Sequence, residues 1–319
     1  MPDDILSHVP KPCRVLLGCD RGPLVVIRNF DFVDMCAGRA RISKWAMTVG
    51  LVGAAIDSEY AAHMDINTDA GMALAVLCIL RLVQGGLAFF ACKCSSWVWM
   101  CRSQSKRSLD NPLGDESKRF VAEGNLLNSR TAVLCVIARL CGAEWVIEQP
   151  GSSLFFATEG MQLAINDGKA STVRFFLKLF GHPADKETLL VGTVTWLQSI
   201  SAGNMSPGAS SSTPALPATS GSCSSTSAGP PSSAPAPLAK GKAKGKAKGK
   251  AKSKAKGRAK SAAKGTAKSS TEKLTRRTVA PDGKVRVTGL KKALQQSQVY
   301  PARFALAVVQ HHWTSRFAT

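Results

Sequence analysis

The sequence predicts a doubly wound α/β fold with a mostly parallel sheet, carrying a disordered basic insert or tail. Three observations lead there. Short apolar runs alternate with helix-period segments from residue 30 to residue 200, the pattern of βαβ units. The first confident run, Phe30–Met35, passes into a small-residue turn, Cys36-Ala37-Gly38, that opens a helix. From residue 201 the composition changes to Ser, Pro, Ala and then Lys, with nothing to build a core.

Residues 1–29 form an N-terminal extension in which only a short strand, Leu24–Ile27, is placed. After strand 30–35, Ile42, Trp45, Ala46 and Val49 recur at helical spacing, and the helix ends at Gly50. A second strand, Leu51–Ile56, carries Asp57 at its tip. Ala70–Val83 reads as a core helix and Gly86–Cys92 as a continuous apolar strand, followed directly by Cys94-Ser95-Ser96. Met72–Cys92 is apolar enough to suggest a membrane span. Arg81, Gln84 and Gly85-Gly86 interrupt it, so helix followed by strand is the better reading and no membrane partner is expected. Glu116–Gly142 is a long helix with a break expected near Gly124. Trp145–Glu148 is a short buried strand leading into Gln149-Pro150, and Thr172–Phe176 and Leu189–Val194 are a further strand pair. Asn111-Pro112-Leu113-Gly114 reads as a turn.

The domain reading follows. A folded unit spans 30–200, a flexible Ser/Pro/Ala-rich linker 201–238, a disordered Lys/Ala/Gly repeat 239–277, and a C-terminal segment 285–313, whose helix Pro301–His312 returns to the folded unit. The net charge is +21, and residues 239–277 hold sixteen Lys and Arg against the single acid Glu272, leaving about +6 for the rest. Basicity is therefore a tail property. Lys240, Lys242, Lys244, Lys246, Lys248 and Lys250 have no aromatic neighbours to stack on bases. They are expected to bind phosphates by charge alone, which makes nucleic acid the expected partner; the lean to DNA over RNA comes only with the family resemblance given below. The same run also fits a solubilising or nuclear-targeting segment.

Ten cysteines are scattered with no C-x-x-C pair. Free thiols in a reducing compartment are expected rather than a zinc site, and the localisation expected is nuclear or otherwise intracellular. The first residues are polar, with Asp3 and Asp4, so a signal peptide is not expected.

Strand, small-residue turn and helix N-terminus together suit a nucleotide-type cofactor, because backbone N–H groups can approach it. The alternative is an ordinary βα turn. Asp57 follows Asp34 by 23 residues, where an acid at a second strand tip bonds a ribose diol; the alternative is a surface Asp in a loop. Cys94, Ser95 and Ser96 fall at the carboxyl edge of their strand, where ligands sit in open parallel sheets.

In order and spacing these segments resemble a diverged cytosine-5 DNA methyltransferase, over about 30–195 and 285–313. Asp34-Met35-Cys36-Ala37-Gly38 resembles that family's Asp-Leu-Phe-Ala-Gly cofactor loop. Cys94-Ser95-Ser96 stands after the strand where the family keeps Pro-Cys-Gln. Glu148-Gln149-Pro150 stands where it has Glu-Asn-Val. Gln298-Val299-Tyr300-Pro301 resembles the last Asn-Ala-Val-Pro helix start. The Phe-Gly-x-Pro-x-x-Lys-x-Thr pattern at 180–188 resembles a strand pair of some phage and algal members.

The resemblance implies a class I methyltransferase-like Rossmann fold and S-adenosylmethionine as cofactor, held by Asp34, Cys36, Ala37, Gly38 and Asp57. It implies Cys94 as nucleophile, with Cys92 as rival, Glu148 as acid, and Ser95, Ser96, Gln149 and Pro150 against the substrate. The chain departs from the family in Lys93 before Cys94, Ala40 in the loop and Gln149 after the acid. It has no Gln-x-Arg-x-Arg strand, and the linker and repeat stand in place of a target-recognition region. A catalytically inactive fold that binds nucleic acid, or a transposon- or phage-derived remnant, is the alternative reading.

Overall fold

The structure is a computed structural model, and it describes residues 26–201, 275–279, 285–289 and 299–317. Six strands form one sheet in the order β2-β1-β3-β4-β6-β5. They are β1 (Phe30–Met35), β2 (Gly53–Ile56), β3 (Leu82–Phe90), β4 (Glu144–Pro150), β5 (Ser171–Phe176) and β6 (Glu187–Gly192). The first four run parallel, while β6 lies antiparallel between β4 and β5. A separate antiparallel hairpin pairs β7 (Thr275–Val279) with β8 (Val285–Gly289).

Period-two alternation divides each central strand between two apolar layers. In β1, Val33 and Met35 face the layer built with helices α2 (Asp69–Leu80), α3 (Arg119–Leu140) and α4 (Glu159–Gly168). Phe32 faces the layer built with α1 (Arg41–Thr48) and α5 (Ala302–Phe317). Both faces are thus covered, which is why the central strands read as apolar runs. The returning C-terminal helix is present: Phe304, Ala305 and Val308 of α5 pack with Ile42 and Ala46 of α1.

Several boundaries differ from expectation. Helix α2 stops at Leu80 because Leu82 pairs with Phe30. The register then shifts between Phe30 and Phe32, and Gly85, at φ 69°, allows β3 to begin four residues earlier than the expected Gly86. That strand ends at Phe90, so Cys92 lies beyond it. The long helix α3 is not broken at Gly124. A Cβ there would strike Ser96 Oγ, so the glycine serves close packing rather than a break. Helix α1 ends at Thr48, β2 begins at Gly53, and β6 runs 187–192 rather than 189–194. Helix α4 has no counterpart in the sequence reading: its inward side is short, Met161, Ala164 and the partly buried Ile165. Helix α5 runs past His312 to Phe317. Strand β7 takes in Thr275, Arg276 and Arg277, the end of the segment expected to be disordered. Val26 and Ile27 are in no strand, while Leu24, Val25, the linker and the Lys repeat lie outside the described residues. Among the described residues no helix is long and apolar enough to cross a membrane, and Met72–Cys92 divides between α2 and β3.

The chain leaves β1 toward β2 and returns on the opposite side at β3. In open α/β sheets the carboxyl ends of two such strands flank the crevice where ligands bind.

Candidate functional site

Two groups of residues stand at these strand ends. The first is a backbone cradle after β1. Cys36, Gly38 and Ala40 all take left-handed conformations, with φ of 56°, 53° and 51°. Two are not glycine, and each such residue costs about 1–2 kcal/mol. The loop is held by Ala37 N donating to Ile56 O (3.1 Å) and Ala40 N to Ala37 O (2.8 Å). Tyr60 Oη donates to Gly38 O (2.6 Å). Asp57 accepts Gly38 N on Oδ2 (2.8 Å) and Glu59 N on Oδ1 (2.7 Å). A carboxylate offers about four lone-pair sites, so Asp57 keeps capacity for two more donors. A Cβ built on Gly38 would meet nothing within 4 Å, so space for a ligand lies over the loop.

Asp34 lies beneath this cradle. It is 1% exposed, and Oδ2 accepts Ser43 N (3.2 Å) and Ser43 Oγ (2.8 Å), tying β1 to the first turn of α1. Burial raises its pKa to about 6 against the lowering effect of the Ser43 bonds.

The second group is a side-chain cluster at the ends of β3, β4 and β6. Glu148 Oε2 accepts Tyr300 Oη (2.9 Å), and Lys186 Nζ lies 3.4 Å from Oε1. The Glu148 and Lys186 side chains are 7% and 13% exposed. Tyr300 is fixed by edge contact with Phe89 and by Phe304 of α5. Burial, then the neighbouring Glu148, pushes its hydroxyl pKa well up. Cys94 is partly exposed beside this cluster. Burial raises its thiol pKa, the charge of Lys186 lowers it, and Glu148 opposes that lowering. The arrangement offers a reachable thiol near an acid held by a phenol and an ammonium group, the parts needed for nucleophilic addition with proton donation.

The remaining expected residues divide. Cys92 is buried, with Sγ 3.6 Å from Cys36 Sγ and 3.3 Å from Thr131 Oγ1. It is far less reachable than Cys94. Gln149 is fully buried; Nε2 donates to Cys92 O (2.8 Å) and Oε1 accepts Ser153 Oγ (3.0 Å), so it ties β4 to the end of β3. Ser95 is exposed and Pro150 half-buried. Ser96 is turned away from the crevice. Its Oγ accepts Arg107 Nη2 (3.2 Å) and its carbonyl accepts Nε (3.0 Å), while the guanidinium lies 3.4 Å over Trp97. The expected substrate contact at Ser96 is therefore a packing contact instead.

Lys186 and Tyr300 carry no role in the sequence reading, although both fall within the motifs that bear the resemblance. Tyr300 also lines a cavity of ≈390 Å³ with Arg41, His182 and Arg303. Arg41 and Arg303 thus share a cavity wall with Tyr300. No family model matches the chain, and neither a curated protein nor a solved structure matches it.

Proposed function

We propose that the protein is an S-adenosylmethionine-dependent methyltransferase of nucleic acid, diverged from the cytosine-5 DNA enzymes, with a class I methyltransferase-like sheet. The observation that carries the reading is that the cradle with Asp57 and the Cys94–Glu148 cluster both lie at the carboxyl ends of neighbouring parallel strands, β1, β3 and β4. The antiparallel β6 beside β4 supports it by bringing Lys186 to Glu148.

On this reading Asp57 bonds the ribose hydroxyls, and the 36–40 loop lines the cofactor by its shape, since the N–H groups of Ala37, Gly38 and Ala40 are already bonded within the fold. S-adenosylmethionine, when bound, supplies an electrophilic methyl group. Cys94, once deprotonated, adds through sulfur to carbon six of a cytosine. Glu148 bonds or protonates ring nitrogen three, held in place by Tyr300 and Lys186. A cytosine must leave the helical stack to reach them. Arg41 and Arg303 give the folded unit its own cationic surface, and the Lys repeat adds sequence-independent attraction.

The test is duplex DNA carrying 5-fluorocytosine, whose missing proton traps the covalent adduct. The expected result is a denaturation-stable complex, abolished by Cys94→Ser and retained by Cys92→Ser. Loss with Cys92→Ser alone would move the nucleophile by two residues. No adduct on any substrate would favour an inactive binding fold. The partner is tested by salt titration: deleting 239–277 should flatten the slope of log affinity against log salt by roughly 0.9 for each phosphate no longer neutralised. Equal slopes would remove the repeat from binding.

A further inference from the structure

We propose that Cys36 and Cys92 are an oxidative modification site, closing to a disulfide that disables the loop after β1. The two sulfurs lie 3.6 Å apart on the neighbouring ends of β1 and β3. Both are free thiols, Cys36 partly exposed and Cys92 buried. A disulfide requires about 2.05 Å between sulfurs, so the gap must close by about 1.5 Å.

The two sides are not equally able to move. Cys92 is pinned through its carbonyl by Gln149 and through its sulfur by Thr131, whose own hydroxyl is committed to Leu127 O (2.7 Å). Cys36 stands in a left-handed conformation at the start of the loop, where φ is already unfavourable. Closure therefore draws Cys36 toward β3. Two residues on, the Gly38 N–Asp57 Oδ2 bond is strained or broken. The effect on cofactor binding rests on the function proposed above; the disulfide itself does not.

A hydroperoxide is the oxidant. The Cys36 thiolate attacks the distal peroxide oxygen, the O–O bond breaks, and the departing alkoxide or hydroxide takes a proton, leaving Cys36 as a sulfenic acid. The Cys92 sulfur then displaces hydroxide from it, forming the S–S bond and releasing water with the Cys92 proton. The two thiols lose two electrons in total and the hydroperoxide gains them. The bond between the two sulfurs raises the Cys36 pKa and lowers that of Cys92, so Cys92 ionises first, Cys36 attacks only once its own proton is lost, and the reaction should quicken as pH rises.

The experiment treats the full-length protein with hydrogen peroxide and maps linked peptides by mass spectrometry without reduction. The expected result is a Cys36–Cys92 link with loss of two hydrogens, reversed by dithiothreitol. In Cys92→Ala the Cys36 sulfenic acid should persist and be captured by dimedone, while the wild type is not captured. Linkage of Cys92 to Cys135, or Cys36 ending as sulfinic acid with Cys92 free, would overturn the proposal. A second arm measures thermal stabilisation by S-adenosylmethionine. Stabilisation of the reduced form, abolished on oxidation, is the expected result, and equal stabilisation of both forms would refute the disabling effect. If neither form responds while the link forms, the cofactor assignment fails and the modification site stands.

Discussion

The two sides of the crevice are built by opposite means. The cradle after β1 is made of backbone: left-handed residues, N–H groups, and one carboxylate that closes the loop. Its residues lie within 36–60, and it holds open space over Gly38. The cluster beyond β3 is made of side chains from positions 94, 148, 186 and 300; Glu148 and Lys186 in it are nearly closed to water, while Cys94 is partly exposed. A backbone cradle suits a ligand recognised by shape and a few fixed donors, because it needs no charge of its own. A buried acid between a phenol and an ammonium suits proton traffic, because charge there is poorly screened. Damage to the first should therefore appear as weakened affinity, and damage to the second as reduced stability and impaired chemistry together.

The sharpest way to break the comparison is at Glu148. Glu148→Ala leaves the Lys186 ammonium and the Tyr300 hydroxyl without their partner, which should cost roughly 3–5 kcal/mol of stability. Denaturant unfolding reads it directly. Adding Lys186→Met should restore part of that loss, because the stranded charge is removed. A Glu148→Ala protein as stable as wild type would show that the cluster is not a buried ion pair.

Asp34 provides the next test, on the cradle side. Its folded pKa, about 6, lies above its ordinary 3.8, chiefly through burial. The neutral acid is therefore favoured by folding. The stabilisation is complete below about pH 4 and is lost as pH rises through about 6, a span worth roughly 3 kcal/mol. Asp34→Asn should remove that dependence and raise stability at pH 7 by roughly 2–3 kcal/mol, provided that Asn accepts the Ser43 bonds. Unfolding curves at pH 4 and pH 7 check both signs. A wild-type protein more stable at pH 7, with the difference removed by Asp34→Asn, would contradict the raised pKa.

What is legible in the sequence follows the same division. Strand β1 and the Asp34–Gly38 turn stand where the local pattern places them, because strand, turn and helix start are consecutive. The cluster is half legible. Cys94 follows the end of β3 and Glu148 lies near the end of β4, and strand ends can be located from apolar runs. Lys186 reaches Glu148 only because β6 inserts antiparallel beside β4, and Tyr300 only because α5 returns onto α1. No local spacing encodes either. Ser96 departs from its expected role because its partner, Arg107, reaches back from a polar loop whose composition gives no sign of burial. Helix α4 has only a short apolar side, Met161, Ala164 and Ile165, and the early start of β3 hides behind a glycine pair at which the register shifts without ending the strand.

The smallest of the expected effects decides whether the cradle binds S-adenosylmethionine through Asp57. The measurement is a calorimetric titration of the cofactor into wild-type protein and Asp57→Ala, with unfolding curves to confirm that both are folded. Asp57 is partly buried and holds Gly38 N and Glu59 N, so its removal loosens the loop as well as taking away the ribose acceptor, while the sheet stays intact. Saturable binding by the wild type is expected, weakened by roughly 1.5–3 kcal/mol when the charged acceptor is removed. Absence of binding by the folded wild type, or equal affinity in the two proteins, would contradict the assignment.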